Sequence, residues 1–324
     1  MESLSELLTG AWKTYVTFAA VHLRIFTILD DREMTAEELA KSANAVPHLM
    51  KALLDACAAM GLILQQDNIY CNSHFSRIYL VEGKPAYLGD IIEVFRGESG
   101  PWLNLHELIR TGRASTAQPV IAPPDTRTFI KGMNNLGLLG EAEALRNAVD
   151  LSGCRTMVDA GGGSGLYSLY LCQKYPDLRS TILDIKEAWA AAKELTAGKL
   201  GRERLQFREA DITCDPFGEN LDVVLLSDVI YDLSEAKLIL KNAWKGMKPG
   251  GRLVIRGYYV DEQGTDPLFA SLFVLNVLAF DPTREPLTLR TLSQTVKGAG
   301  FEDIYWSPLT ERSHFLTARR ALAG

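Results

Sequence analysis

Closely spaced cysteines are missing from this sequence. Its five cysteines are scattered, and none belongs to a Cys-x-x-Cys pair. This spacing favours reduced thiols over a disulfide framework or a metal site. The five histidines are dispersed in the same way. We therefore expect no metal cofactor.

An excess of basic residues is missing as well. The chain has 34 lysines and arginines against 40 aspartates and glutamates, a net charge of −6. This balance argues against a general nucleic-acid binder, because neutralising phosphates requires a basic face. No apolar run approaches the ~18 residues needed to span a bilayer, and no charged-then-apolar leader follows Met1. We expect a cytoplasmic protein with neither nucleic acid nor membrane as a partner.

Hydrophobic residues are plentiful and regularly spaced. They make up 47% of the 324 residues, and this length suggests roughly two domains. The amino-terminal part predicts helices, one of them opened by the capping signature from Thr35 to Glu38. A helix from Leu49 to Met60 and a hairpin from Leu62 to Cys71 follow, a pattern typical of a winged helix. That helix carries only Lys51 as a strong cation, which favours burial against a partner subunit over DNA binding.

The carboxyl-terminal part alternates strands with helices, which predicts a parallel, doubly wound α/β sheet. Two strands in succession close the chain, at 303–306 and 314–318, and indicate an antiparallel edge. The segment from Ser115 to Asp125, which is rich in proline, is the predicted linker. The domain boundaries that we expect are 1–114, then 115–150 as linker and bridging helix (Thr128 to Val149), then 151–324.

A glycine-rich stretch lies at the centre of this organisation. A short apolar run ends in Asp159, glycines follow at Gly161, Gly163 and Gly165, and a helix begins at Leu166. Such a strand, loop and helix present nucleotide-like ligands at the carboxyl edge of a parallel sheet. Glycines there let the backbone come within contact distance of the ligand.

The neighbouring residues decide between possible ligands. The dinucleotide fingerprint G-x-G-x-x-G/A fails in both registers, and no lysine of the P-loop type follows the glycines. Asp184 ends the next strand and could accept hydrogen bonds from both ribose hydroxyls. We expect the other contacts to a nucleoside to come from Asp159, Asp211, Ile212, Phe217 and Ser227. A nucleoside without phosphates, S-adenosylmethionine, therefore fits better than NAD or ATP.

A set of motifs runs in order along almost the whole chain. It comprises Leu53-Leu54-Asp55-Ala56, Met60-Gly61-Leu62, Tyr70, Trp102, Leu105, residues 108–112, Phe129, Met133, residues 158–165, Leu183-Asp184, Asp211, Lys248-Pro249-Gly250-Gly251 and Ala299-Gly300-Phe301. With these motifs the sequence resembles the bacterial and plant small-molecule O-methyltransferases that use S-adenosylmethionine, the group that contains hydroxyindole and caffeic acid O-methyltransferases.

The resemblance implies both a fold and a chemistry. It implies a Rossmann-like, mostly parallel seven-stranded sheet preceded by a mainly helical winged-helix domain that forms a homodimer. It also implies S-adenosylhomocysteine as the product and a bridging helix whose Phe129 and Met133 line the acceptor site. The remaining lining that we expect is mostly aromatic, which favours a flat acceptor, and comprises Trp102, Tyr258, Phe273, Asn276 and Phe280.

The sequence departs from this family at the catalytic base. Relatives carry His-Asp-Trp just after the fourth strand, where the histidine removes the hydroxyl proton, but here the place holds Tyr231-Asp232-Leu233. A tyrosine with its ordinary pKa of ~10 is a poor base at neutral pH. Gly257 stands where the plant enzymes have an acid, and Glu285 where many relatives have a second carboxylate. We expect Tyr231 to contact the acceptor, with Asp232 or Glu285 taking the proton through water.

Several alternatives stay open at this point. O-methylation is favoured, but an amine or an electron-rich carbon, as in a tetrapyrrole, needs no histidine base. A ligand-sensing regulator whose winged helix binds DNA, or a catalytically inactive paralogue that serves as a scaffold, would also be consistent with these residues.

Overall fold

The computed structural model describes residues 4–113 and 124–322. The chain divides into two compact units, which contain residues 4–98 with 124–135 and residues 99–113 with 136–322. The predicted linker from Ser115 to Asp125 lies largely outside the described residues.

The first unit is mainly helical and contains a small antiparallel sheet. Its elements are α1 (Leu4–His22), α2 (Ile25–Leu29), β1 (Met34–Thr35), α3 (Ala36–Ser42), α4 (Pro47–Ala59), β2 (Ile63–Gln66), β3 (Ile69–Asn72), α5 (His74–Tyr79), α6 (Gly89–Gly97) and α9 (Thr126–Leu136). The last residue of α9 already belongs to the second unit. The predicted capping box is present, since the Thr35 hydroxyl accepts from the Glu38 N–H and the Glu38 carboxylate accepts from the Thr35 N–H. Strand β3 lies between β1 and β2. The predicted helical domain with its hairpin is therefore confirmed.

The second unit contains a seven-stranded sheet with helices on both faces. Its elements are α7 (Ser99–Leu103), α8 (Leu105–Thr111), α10 (Ala142–Ala148), β4 (Thr156–Ala160), α11 (Leu166–Lys174), β5 (Arg179–Asp184), α12 (Lys186–Thr196), β6 (Leu205–Glu209), β7 (Leu221–Ser227), α13 (Leu233–Gly246), β8 (Met247–Gly257), α14 (Leu268–Phe280), α15 (Leu289–Gly298), β9 (Phe301–Pro308) and β10 (His314–Arg320).

The order of the strands locates the functional edge of this sheet. The order is β6-β5-β4-β7-β8-β10-β9, in which the first five strands are parallel and β10 is antiparallel to both of its neighbours. The prediction of a mostly parallel, Rossmann-like sheet with an antiparallel edge is confirmed. The chain leaves β4 in one direction toward β6 and returns on the other side at β7. Ligands of such sheets bind outside the carboxyl ends of the strands at this switch point.

Alternating residues of the central strands pack into two cores. In β4, the Met157 side chain packs with Leu169 on one face of the sheet, whereas Val158 packs with Leu226 and Ile239 on the other. Because successive side chains of a strand point to opposite faces, a strand covered by helices on both sides is apolar throughout. This is why apolar residues are consecutive in both strands, at Met157 and Val158 in β4 and at residues 223–226 in β7.

Two local predictions differ from the structure. The turn expected at residues 248–251 lies inside β8, where Leu221 pairs with Met247 but Val223 pairs with Arg252, so these residues are skipped in the pairing. The bridging helix expected from Thr128 to Val149 is interrupted by a kinked turn, Gly137–Glu141, in which Gly140 has a φ of 100°. Glycine adopts this left-handed conformation without the steric cost of a Cβ.

Candidate functional site

The loop after β4 depends on three glycines. Gly161, Gly163 and Gly165 have φ values of 70°, 48° and 74°, in a region that other residues rarely adopt. Space is restricted too, because a Cβ on Gly161 would lie 2.5 Å from Val229 Cγ1. The backbone between β4 and α11 therefore has no side chain at these three positions, which lie at the switch point.

Asp184 ends β5 beside this loop. One oxygen of its carboxylate accepts from the Gly163 N–H at 2.8 Å, and the other accepts from the Ile185 N–H at 2.7 Å. Burial raises the pKa of Asp184, and these two backbone hydrogen bonds oppose the rise. Each carboxylate oxygen has a further lone pair, so Asp184 can still accept hydrogen bonds from a ligand.

Asp159 lies beneath the glycine loop. It is buried, and one oxygen accepts from the Ser168 hydroxyl at 2.7 Å. Burial raises the pKa of Asp159 to about 7, and the charge of Asp184 adds to this. A Cβ on Gly162 would lie 2.6 Å from Asp159 Cγ. These contacts make Asp159 a support for the loop, whereas its predicted contact with a cofactor stays a prediction.

The residues after β6 divide between the loop and the core. A Cβ on Gly161 would lie 3.5 Å from Ile212 Cδ1, so Ile212 lies against the loop. The exposed Asp211 accepts from the hydroxyl and the N–H of Thr213, which lowers the pKa of its carboxyl. Phe217 is 2% exposed and packs in the core with Leu221. The structure thus brings Ile212 to the loop and places Phe217 inside the fold.

Ser227 ends β7 on the other side of the switch point. Its hydroxyl is buried, and it has no hydrogen-bond partner among the described residues. A buried polar atom without a partner is costly, so a ligand group that bonds it would remove that cost. This orphaned hydroxyl, the bare glycine backbone and the Asp184 carboxylate together fit a nucleoside.

The loop after β7 is fixed by Asp228 and Tyr231. Asp228 has a φ of 58°, and its N–H donates to the Arg256 carbonyl at 2.7 Å. The Tyr231 hydroxyl donates to the Asp228 carbonyl. Burial and the charge of Asp228 raise the pKa of Tyr231 well above its ordinary value. Tyr231 is therefore a hydrogen-bond donor to its own loop.

Asp232 begins α13. Its carboxylate accepts from the N–H groups of Ser234 and Glu235 and, at 2.8 Å, from the N–H of Glu285. The Ser234 hydroxyl and these backbone groups lower the pKa of Asp232 to about 2. The Glu285 side chain is exposed. These contacts give Asp232 a role in capping the helix, which the sequence reasoning did not foresee.

A buried ion pair that the sequence analysis missed lies beside this loop. Arg256, at the end of β8, is 2% exposed, and it contacts the fully buried Glu141 at 2.8 Å and Asp228 at 3.6 Å. Glu141 also accepts from the hydroxyls of Thr310 at 2.7 Å and Ser313 at 2.5 Å. Burial alone would raise the pKa of Glu141, but the charge of Arg256 and these hydroxyls lower it.

An aromatic cluster adjoins the same arginine. The Arg256 guanidinium lies 4.3 Å from the centre of the Tyr258 ring, and Tyr258 and Phe273 have ring centres 5.0 Å apart. Phe273 lies 5.8 Å from Tyr231. The structure thus brings together three of the predicted acceptor contacts, Tyr231, Tyr258 and Phe273.

Five further acceptor contacts were predicted. One of them, Phe280, is the exposed last residue of α14. Trp102 Nε1 donates to Asn276 Oδ1 at 2.7 Å, so these two lie together in the second unit. Phe129 and Met133 lie on α9 in the first unit. Their place beside the acceptor stays a prediction.

Residues 4–113 and 124–322 contain neither a metal-binding cluster nor a membrane-spanning helix. No group of three or more histidine, cysteine or acidic side chains there could hold a metal ion. Within the same residues, no helix is both long and apolar enough to cross a membrane.

The fold and the site define a class of protein, a doubly wound α/β protein that offers a nucleoside site at its switch point. Comparison with known proteins narrows the class. Residues 111–302 match the model of the O-methyltransferase domain, and residues 5–82 match that of the O-methyltransferase dimerisation domain. The chain therefore belongs to the O-methyltransferase family. The resemblance seen in the sequence, and with it the S-adenosylmethionine-dependent class of enzyme, is confirmed.

Individual relatives agree with this assignment. The chain is 32% identical to 3-hydroxy-5-methyl-1-naphthoate 3-O-methyltransferase of Streptomyces sahachiroi over 85% of this chain and 82% of that protein. It is 28% identical to acetylserotonin O-methyltransferase of Bos taurus over 93% and 92% of the two chains. Human N-acetylserotonin methyltransferase, solved in complex with SAM, superposes with a TM-score of 0.85 at 23% identity and covers 98% of this chain and 96% of its own.

Proposed function

We propose that this chain transfers a methyl group from S-adenosylmethionine to the hydroxyl group of a small aromatic or heteroaromatic acceptor. The observation that carries the proposal is the glycine loop held against the Asp184 carboxylate at the switch point of the sheet. The O-methyltransferase domain model matches residues 111–302, which include the glycine loop and Asp184.

Residues at or just after the carboxyl ends of four strands, β4 to β7, would hold the methyl donor. The glycine loop would let the nucleoside approach the backbone, and Asp184 would accept from the ribose hydroxyls. Ser227 would bond a polar group of the donor, and Ile212 would provide an apolar contact. When bound, S-adenosylmethionine supplies a methyl group that is open to in-line attack by a nucleophile, so much of the acceleration would come from orienting the two reactants.

The acceptor would lie against the aromatic cluster. Tyr258 and Phe273 favour a flat ring, and Asn276 with Trp102 supplies polar groups at 2.7 Å from one another. Two relatives act, by their names, on a naphthoate and on acetylserotonin, which are both aromatic. This likeness supports an aromatic acceptor and leaves its identity to experiment.

Tyr231, in the position where relatives have the histidine, would keep the loop in place. Its hydroxyl donates to the Asp228 carbonyl, and a group whose pKa is raised well above that of ordinary tyrosine does not accept a proton near neutral pH. Asp232 is occupied at the start of α13. We therefore assign the proton transfer to neither of them.

The first unit would form a homodimer. Residues 5–82 match the dimerisation domain of the family, and α1 exposes large apolar side chains, among them Leu4 and Trp12, which are each 72% exposed. Apolar side chains grouped on one helix favour an interface with another chain. Light scattering coupled to size-exclusion chromatography should then give twice the mass of one chain. The mass of a single chain would contradict the dimer.

Methyl transfer itself is tested with a donor that carries an isotopic label. Purified protein is incubated with hydroxylated naphthalenes, hydroxyindoles, other phenols and porphyrin precursors, and the products are analysed by mass spectrometry and NMR. We expect label on the oxygen of an aromatic hydroxyl. Label on carbon or nitrogen would instead favour the C- or N-methyltransferase alternative.

Absence of any product has a separate meaning. A protein that binds S-adenosylhomocysteine but transfers no label to any acceptor would favour an inactive scaffold. A salt-dependent shift of duplex DNA in a gel would favour the regulator, since phosphate contacts weaken as salt rises.

A further inference from the structure

Asp228 lies at the edge of the site, in the loop directly after β7. Of its neighbours in the chain, Ser227 has the orphaned hydroxyl and Val229 lies against Gly161 of the glycine loop. Its backbone is held at both ends, by the Arg256 carbonyl and by the Tyr231 hydroxyl. The side chain of Asp228 is 16% exposed. A carboxylate is thus fixed at the edge of the site, with part of its surface accessible.

The two carboxylates that share Arg256 differ in how fully they are bonded. Glu141 is fully buried, accepts hydrogen bonds from the hydroxyls of Ser313 and Thr310, and forms an ion pair with Arg256 at 2.8 Å. In the part of the chain that the structure describes, Asp228 has only the ion pair with Arg256, at 3.6 Å, and no hydrogen bond to its carboxylate. Asp228 therefore has free lone pairs, and its exposed surface gives them access to a ligand.

We propose that Asp228 is the catalytic base, accepting the proton of the acceptor hydroxyl in place of the missing histidine. This inference rests on the proposed function. The O–H bond of the acceptor breaks, and the proton moves to a carboxylate oxygen of Asp228. The acceptor oxygen forms a bond to the methyl carbon, while the bond from methyl to sulfur breaks and its electron pair stays on sulfur.

The charges around Asp228 suit this role. Burial raises the pKa of Asp228, the guanidinium of Arg256 from β8 lowers it, and the charge of Glu141 from the kinked turn raises it. Together these effects place the pKa of Asp228 at about 6. A general base works best when its pKa lies near the operating pH. After transfer, Arg256 remains paired with Glu141, so the neutral Asp228 leaves no unpaired charge in the site.

The variant Asp228→Asn removes the base and keeps the shape. Asparagine tolerates the left-handed conformation, so the φ of 58° at this position is preserved. Asp303→Asn is the matched control, because Asp303 also has a positive φ, 51°, but is 59% exposed on β9 beside Arg319. Calorimetry with S-adenosylhomocysteine should give all three proteins the same affinity, which establishes that the fold is intact.

Two acceptors separate proton removal from positioning. 1-Naphthol keeps its proton near neutral pH, whereas 4-nitro-1-naphthol is already ionised there and needs no base. We expect Asp228→Asn to lower the rate of methylation of 1-naphthol by about 100-fold or more, since general base catalysis contributes at least roughly 100-fold. The rate with 4-nitro-1-naphthol should fall by less than about 3-fold. Equal losses with both acceptors, or no loss with either, would overturn the assignment.

A second readout needs neither donor nor acceptor. Infrared difference spectra of wild type and Asp228→Asn should show one carboxyl group that titrates near pH 6, and titration at the ordinary value for aspartate would overturn the assignment. A wild type that binds S-adenosylhomocysteine but methylates neither naphthol nor any other hydroxylated acceptor of the panel would contradict the proposed function itself. A wild type and an Asp228→Asn variant that are equally active on both would contradict the role of Asp228 alone.

Discussion

The Tyr231 hydroxyl donates a hydrogen bond to the backbone carbonyl of Asp228, three residues earlier in the same loop. The side chain in the position of the expected base therefore holds the residue that we propose as the base. The loop after β7 thus needs no histidine to present a proton acceptor.

Replacing Tyr231 with phenylalanine tests this arrangement. We expect turnover with 1-naphthol to fall by less than about 10-fold. The variant loses one hydrogen bond worth about 1 kcal/mol, and the proton-transfer step is kept. Tyr259→Phe is the control, because its hydroxyl lies 3.5 Å from the Ile230 carbonyl in the same loop. A loss of about 100-fold or more for Tyr231→Phe alone would indicate a catalytic hydroxyl.

Removing the buried partner of Arg256 should destabilise the second unit. In Glu141→Gln the buried guanidinium loses its partner at 2.8 Å and keeps only Asp228, at 3.6 Å. The loss of stability should therefore approach, without exceeding, the cost of breaking a buried ion pair, about 3 to 5 kcal/mol. The pKa of Glu141 is lowered in the fold, so its contribution is present above the ordinary pKa and is lost as the pH falls through the folded value. Urea unfolding at neutral pH and in acid measures both effects.

The matched control for this prediction lies two residues away. Glu143 is 62% exposed and pairs with Arg146 at 3.0 Å on the surface of α10. Glu143→Gln should change the free energy of unfolding by less than about 0.5 kcal/mol, because exposed ion pairs contribute little. Equal effects of the two substitutions would show that burial of Arg256 has no energetic consequence.

Asp159 should make the stability of the protein depend on pH. Its pKa is about 7 in the fold, against 3.8 ordinarily, so between these values the folded chain keeps a proton that the unfolded chain has released. The free energy of unfolding of the wild type therefore falls as the pH rises through this range. The free energy of unfolding of Asp159→Asn, relative to that of the wild type, should therefore rise by up to about 4 kcal/mol between about pH 4 and about pH 8.

An exposed aspartate provides the reference for that experiment. Asp177 is exposed in the turn before β5, and Asp177→Asn should follow the wild type at every pH. If the curves for Asp159→Asn and wild type stayed parallel across this range, Asp159 would not be the buried group that titrates.

Local patterns in the sequence sufficed for the alternation of strands and helices and for the position of the glycine loop beside Asp184. The apolar strand ending in Asp159, the glycines and the acid at Asp184 are consecutive features, and the structure places them at one edge of the sheet. Asp232 was assigned to the acceptor because it follows Tyr231. The pattern of Asp232 with Glu235 three residues later, typical of a helix start, would have indicated its capping role.

The pair of Arg256 and Glu141 could not be predicted in the same way. The two residues lie far apart in the sequence, and nothing local pairs them. The one available signal was a charged residue at the end of an apolar strand, since a buried arginine requires a partner. For Phe217, an apolar residue after β6 is equally consistent with a ligand contact and with the core, and only the packing against Leu221 places it.

The central claim is that an S-adenosyl nucleoside binds at the edge formed by the glycine loop and Asp184, and calorimetric titration with S-adenosylhomocysteine tests it most directly. We predict that the wild type and Asp177→Ala bind the nucleoside equally, and that Asp184→Ala binds it about 100-fold more weakly or not at all, a loss of about 3 kcal/mol. Equal affinity in all three proteins, or no heat of binding with the wild type, would contradict the account.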